Sequence, residues 1–212
     1  MSNTPDLTLF LDILVKLEAL QIPYAIIGGF AATIYGNTRS TYDIDIIVDM
    51  EEEHILKLAA AFPSPRYYAD PEQMNKAIQI GSSFNIIDSD RGEKADLFPL
   101  SMDRRYESAV RNKIRQTAVL PGQASFPAWV ARPEDVIIGK LMAWQEGQSQ
   151  RHPADIYEIM LFYYLGGHPS DYVFDEHDVD NRAQALGPDV SDLWKLIQTS
   201  AREEAARQSK KP

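Results

Sequence analysis

The sequence predicts an α+β protein, with short strands and helices interleaved through about residue 131 and a helical part from 132 to 212. Three features lead there. Short apolar segments at 24–27 and 42–48 have strand length and are bounded by turn residues. Segments 83–87 and 94–98 flank a Ser89-Asp90-Arg91-Gly92 turn, the pattern of a hairpin. After Pro133 the apolar residues switch to helical spacing.

In chain order, Thr4-Pro5-Asp6 opens a first helix, with Thr4 as N-cap and Pro5 in the first turn; Leu9, Leu11, Leu14, Leu17 and Leu20 carry it to about Gln21. Pro23 stops it, and Tyr24-Ala25-Ile26-Ile27 reads as a buried strand that ends at Gly28-Gly29, followed by a short helix from Phe30 to Tyr35. Tyr42 to Val48 alternates polar and apolar and then turns wholly apolar, as a central strand does when its start is polar on one face. A helix over Glu51–Phe62, a weak strand at Tyr67 and a helical turn from Pro71 lead to the hairpin. Further strands are expected at Arg115–Val119 and Ala128–Ala131. In the second half, Ile137, Ile138, Leu141, Met142 and Trp144 define one helix, and Ile156, Ile159, Met160 and Tyr163 another. Gly166-Gly167-His168-Pro169 breaks the pattern, an acidic loop is expected over 171–180, and a last helix starts near Asp189 and frays near Ser209.

Composition narrows the chemistry. With no cysteine, disulfides, thiol nucleophiles and Cys-ligated metals are excluded, and a reducing, cytoplasmic setting is expected. Apolar runs are shorter than a membrane span, and the N-terminus lacks the order of a signal peptide, so no membrane partner is expected. A net charge of −10 disfavours broad adhesion to nucleic acid. One stretch inverts that sign: Arg104, Arg105, Arg111, Lys113 and Arg115 face only Glu107, and read either as a solvated surface or as a phosphate-facing rim.

The informative constellation is Gly28-Gly29, thirteen residues, then Asp43-Ile44-Asp45-Ile46. Alternate strand residues share a face, which sets Asp43 and Asp45 about 6–7 Å apart on one side. Their repulsion raises each other's pKa unless a divalent cation turns it into chelation. A glycine pair before a helix lets backbone approach a ligand and offers N–H groups to phosphate. An EF-hand loop is excluded, because Ile47 and Val48 stand where a ligand and the turn glycine are required. His168, His177 and the acids of 171–180 have no regular metal-ligand spacing and read as solvated.

Ile27-Gly28-Gly29 and Asp43-Ile44-Asp45-Ile46 resemble the signature of the DNA polymerase β-like nucleotidyltransferase superfamily. The segments Arg39 to Asp45, Arg132 to Leu141 and Asp155 to Ile159 resemble its AbiEii-type toxin branch, over about residues 20 to 165. The resemblance implies a nucleotidyltransferase fold, a mixed β-sheet flanked by helices, with a core at 1–131 and a helical subdomain at 132–212. It implies metal-dependent transfer of a nucleoside monophosphate from a nucleoside triphosphate to a hydroxyl of tRNA, protein or a small molecule, in a toxin with an antitoxin partner. Asp96, in preference to Asp88, matches the third carboxylate, so that Asp43, Asp45 and Asp96 are the expected catalytic, Mg2+- or Mn2+-binding set. Gly28, Gly29, Arg39, Lys140 and Asp155 are the expected nucleotide-binding residues. Proline at 153 departs from the usual approach to the second helix, so Asp155 reads also as an N-cap and Lys140 also as a solvent-exposed side chain. A chain that keeps this fold and transfers nothing is the competing function.

Overall fold

The computed structural model describes residues 7–38, 44–118, 125–167 and 172–209. The chain divides into two compact units, Met1–Phe30 with Thr41–Ala131, and Ala31–Ser40 with Arg132–Pro212.

The first unit is built on a seven-stranded mixed sheet in the order β3-β4-β5-β2-β1-β7-β6. Its strands are β1 (Tyr24–Ile27), β2 (Asp45–Val48), β3 (Tyr67–Tyr68), β4 (Phe84–Asp88), β5 (Glu93–Pro99), β6 (Ile114–Ala118) and β7 (Phe126–Val130). β1 runs antiparallel to β2 and parallel to β7, and β2 runs parallel to β5. One sheet face carries Ile26, Ile46, Phe84, Ile86, Ala95 and Leu97, all fully buried. The helices α1 (Thr8–Ala19) and α4 (Pro71–Ile80) pack on β5 and β4. At about 25 cal/mol per Å² of apolar area, a face this dry is the main stabilising term of the unit. The opposite face is covered on β1 by α5 (Glu107–Arg111), where Ala25, Ile47, Leu100 and Val110 form a small core. Toward β4 it stays more open: Asn85, Asp96 and Phe98 are half-buried and Lys94 is exposed.

Several expected boundaries move, for identifiable reasons. Thr4 and Pro5 lie outside the described residues, and α1 starts only at Thr8 after a buried Leu7. Its early N–H at Leu9 donates to Glu93 Oε2 at 3.0 Å, so the cap comes from a strand 84 residues away. The turn expected at Pro71 is the full helix α4. Asp70 accepts from Glu72 N at 2.9 Å, Pro71 fits the first position, and Gly81 closes the end in the left-handed region at φ 65°. The helix after β1 begins at Gly28, so the glycine pair forms the first turn of α2 (Gly28–Ile34) instead of preceding it.

In the second unit, α6 (Pro133–Gly147) and α7 (Arg151–Tyr164) take the expected places. The region expected as an acidic loop is partly a helix, α8 (Glu176–Leu186), with Asp175 as its cap accepting from Asp178 N at 3.0 Å. Acids in a first helical turn are favoured by the helix dipole. The acids are already partnered: Glu176 pairs with Arg202 at 2.7 Å, Asp178 with Arg132 at 3.3 Å and Asp180 with the Trp194 indole at 2.6 Å. His168 and Asp171 lie outside the described residues. α9 (Pro188–Gln208) starts with a proline at its first position and closes the chain.

Candidate functional site

The site grows out of strand register. Ile46 of β2 pairs with Leu97 of the parallel β5, so the preceding residues, Asp45 and Asp96, fall beside each other on the same face. Across the antiparallel pairing of β4 and β5, Asn85 sits opposite Asp96 on that face. Across β1–β2, Ile27 sits opposite Asp45. Two aspartates from neighbouring strands are thereby brought together, both half-buried and within reach of solvent. Asp88, the rival for the third carboxylate, is three ladder steps beyond on the other face. It is 1% exposed, bonded to Arg66 at 2.8 Å, and accepts from the N–H groups of Asp90 and Arg91 in the hairpin turn. The Arg66 guanidinium, against the counter-effect of burial, holds its carboxyl below the ordinary aspartate range. Asp88 is therefore a turn-capping residue.

Gly28 closes the site from the β1 side. Its φ is +69°, and a Cβ built on it would lie 2.0 Å from Asp45 Oδ2. Both facts weigh against a side chain here: an L-residue is strained at this φ, and the Asp45 carboxylate would have to shift to make room. The β1–α2 turn is thus pressed against Asp45, which places the first-turn backbone of α2, Gly28 and Gly29, beside the acidic pair.

The donors suit Mg2+ or Mn2+, which take hard oxygen ligands: two carboxylates sit in register, partly open to solvent, with backbone alone on one side. Among the described residues no three His, Cys, Asp or Glu side chains converge to hold a metal. Asp43 and Arg39 lie outside the described residues. Asp96 also has a neighbour that sequence reasoning passed over: Lys94 Nζ reaches its Oδ1 at 3.0 Å. The signal was present, since residues two apart on a strand share a face.

Lys140 and Asp155 belong to the helical unit and form a buried pair there. They are 5% and 3% exposed, with Nζ 2.5 Å from Oδ2. Asn37 Nδ2 donates to the other Asp155 oxygen at 2.9 Å, and Thr38 N donates to Glu158 at 2.7 Å. Lys140 is thus buried and not solvent-exposed: α6 is buried on most of its sides, at Pro133 to Ile138 and at Leu141 and Met142 as well as at Lys140. Asp155 is no N-cap. The helix cap is Gln150, α7 begins at Arg151, and Pro153 fits within the first turn without shifting the start. Nothing in the sequence around Asn37 announced its part in this group.

No protein-family model matches the chain, and no curated protein matches it in sequence. Solved structures similar to it include nucleotidyltransferases and their like. An antigenic nucleotidyltransferase-like protein from Paracoccidioides brasiliensis is 21% identical over 92% of this chain and 93% of that one, with a TM-score of 0.49. The antibiotic-resistance factor ANT(2'')-Ia is 15% identical over 96% and 94%, with a TM-score of 0.41. The lincosamide antibiotic adenylyltransferase LnuA is 16% identical over 74% and 96%, with a TM-score of 0.37.

Proposed function

We propose that the chain is a metal-dependent nucleotidyltransferase that moves a nucleoside monophosphate from a nucleoside triphosphate to an acceptor hydroxyl. The observation that supports this reading most is the register of β2 and β5, which sets Asp45 and Asp96 side by side, with a glycine turn pressed against the Asp45 carboxylate. Asp43, Asp45 and Asp96 are its metal-holding and catalytic residues. A divalent cation held there would neutralise triphosphate charge and lower the pKa of the attacking hydroxyl.

In this reading the chain's own groups do the rest. The first-turn N–H groups of α2, at Gly28 and Gly29, receive phosphate oxygens, which is what a helix start with unpaired donors favours. Asp96, half-buried like Asp45, takes the hydroxyl proton as the acceptor oxygen bonds to the α-phosphorus. The α–β anhydride bond breaks and pyrophosphate leaves. Lys94 lies beside Asp96 and can follow the charge as the proton arrives. The family resemblance also assigns Arg39, Lys140 and Asp155 to nucleotide binding; within the helical unit Asp155 holds the Lys140 ammonium. The acceptor would be a hydroxyl of tRNA, protein or a small molecule; a toxin role would add an antitoxin partner and a cytoplasmic setting.

A second reading is a nucleotide-binding module that transfers nothing. What favours it is the Lys94–Asp96 ion pair, which already balances one of the two carboxylates without a metal. One experiment separates the two. Purified protein is incubated with each α-labelled triphosphate, Mg2+ or Mn2+, and either cell RNA, lysate protein or aminoglycoside-like polyols. Transfer of label that disappears in Asp45→Asn and Asp96→Asn supports catalysis. Nucleotide binding without transfer to any acceptor supports the second reading, and neither binding nor transfer sinks both.

A further inference from the structure

The sequence's one basic stretch is not used by the carboxylate site, and the fold gathers part of it around a cavity. The cavity, about 470 Å³, opens where β2 and β5 end, at Asp49, Met50, Pro99 and Leu100. Asp49 is four residues along the strand from Asp45, about 13 Å at the rise of an extended chain. The space is therefore past the end of β2 opposite Asp45, and Pro99 at its edge is three residues, about 10 Å, along β5 from Asp96.

Its floor is apolar, with Pro23, Met50, Leu100 and Val110. Its rim is cationic, with Arg104 and Arg111 from two successive short helices and Lys113 from the connection into β6. These cations are unequally committed. Arg111 is paired with Glu107, one helical turn earlier, so those two charges cancel. Arg104 is exposed and makes no ion pair among the described residues. Lys113 makes none either; its ammonium lies 5.7 Å over the Trp129 ring. Burial lowers the Lys113 pKa, and the charge of Asp49 nearby offsets this only in part, so the ammonium is short of solvation. Counting Asp49, the rim keeps one excess positive charge on a chain whose net charge is −10.

We propose that this cavity is a second ligand site, distinct from the carboxylate site, that takes an organic phosphate: one phosphate group between Arg104 and Lys113, and an apolar or ring-bearing body on the floor. A guanidinium fork and an ammonium match the geometry of phosphate oxygens. The volume lies in the range that holds a nucleoside monophosphate and far exceeds one phosphate ion. The site does not depend on the chain being a transferase.

The test is calorimetric titration of the full chain, without metal or triphosphate, using AMP, CMP, adenosine and inorganic phosphate as probes. AMP or CMP is expected to bind, adenosine to bind more weakly, and affinity to fall with added salt. Arg104→Gln and Lys113→Gln are each expected to weaken binding about tenfold, the loss of one charge-assisted contact. Asp45→Asn, at the other site, is expected to leave it unchanged. Circular dichroism of each variant checks folding; Arg104 is exposed, so its variant serves if the Lys113 change perturbs the sheet. The proposal is overturned if no monophosphate binds, if inorganic phosphate or adenosine binds as well as the nucleotide, or if binding is lost in Asp45→Asn and kept in Arg104→Gln. Failure of label transfer with these results intact would remove only the catalytic reading.

Discussion

The Lys140–Asp155 pair allows a direct contest between a structural and a ligand-binding role. Both groups are at most 5% exposed and 2.5 Å apart. At an effective dielectric near 20 the Coulomb attraction at that distance is about 7 kcal/mol, and most of it offsets the desolvation of two ions. Removing one partner leaves the other charge buried. Lys140→Met keeps the stem and deletes the ammonium, so Asp155 would retain the Asn37 amide but lose its counter-ion. The expected cost is about 3–5 kcal/mol, read from urea unfolding followed by circular dichroism. Asp155→Leu should cost a similar amount, and the double variant should recover much of the loss, because an apolar pair of similar volume carries no buried charge. A loss below about 1 kcal/mol in both single variants, the level of an exposed ion pair, would refute the reasoning. If Lys140→Met then weakened triphosphate binding while leaving stability intact, its ammonium would be a ligand contact that opens in solution.

Three further outcomes follow from the same structure. Gly28→Ala must meet Asp45 Oδ2 and adopt φ +69°, so it should lower stability by at least about 1–2 kcal/mol and abolish label transfer; a stable, active variant would show that the turn is not pressed on the carboxylate. Mg2+ should raise the melting temperature of the wild type, by the equivalent of about 2.7 kcal/mol at a hundred times its dissociation constant, and EDTA should reverse it. Asp96→Asn should lose the shift, whereas an equal shift in that variant would remove Asp96 from the metal set. Four tyrosines have raised pKa values: Tyr164 is pushed up to about 12, by burial first and then Glu176, and Tyr24, Tyr35 and Tyr172 are raised further, again mainly by burial. A raised folded-state pKa leaves its stability intact below the unfolded value near 10 and loses it as pH climbs from there through 12. Absorbance at 295 nm should therefore show some of the 10 tyrosines ionising only with unfolding above about pH 11, and simple titration of all ten near pH 10 would contradict it.

How much of this was legible in the sequence depends on whether the determining contacts are local. The strand at 24–27 and the hairpin strand, expected at 83–87 and found at 84–88, are written in short-range patterns, whereas the glycine pair expected before the helix forms its first turn. The first helix boundary was misread because Glu93, a residue remote in sequence, supplies the cap, and no local rule looks 84 positions ahead. The same holds for the choice between Asp88 and Asp96. The resemblance matched Asp96 in preference to Asp88, and the ladder shows how their surroundings differ: Asp88 shares the buried face with Ile86 and Phe84, where Arg66 meets it, while Asp96 falls beside Asp45. A one-residue slip in β5 would exchange those faces. The candidate site is thus a property of register more than of composition, and a substitution that shifts the β2–β5 ladder should disable it without touching either aspartate. Ile46 and Leu97, paired and fully buried, hold that register. Leu97→Asp would force a charge into the dry face or slip the strand, and either way label transfer should fall together with the Mg2+-dependent thermal shift. If transfer survived in a folded Leu97→Asp protein, the pairing of Asp45 with Asp96 would not be what the chemistry depends on.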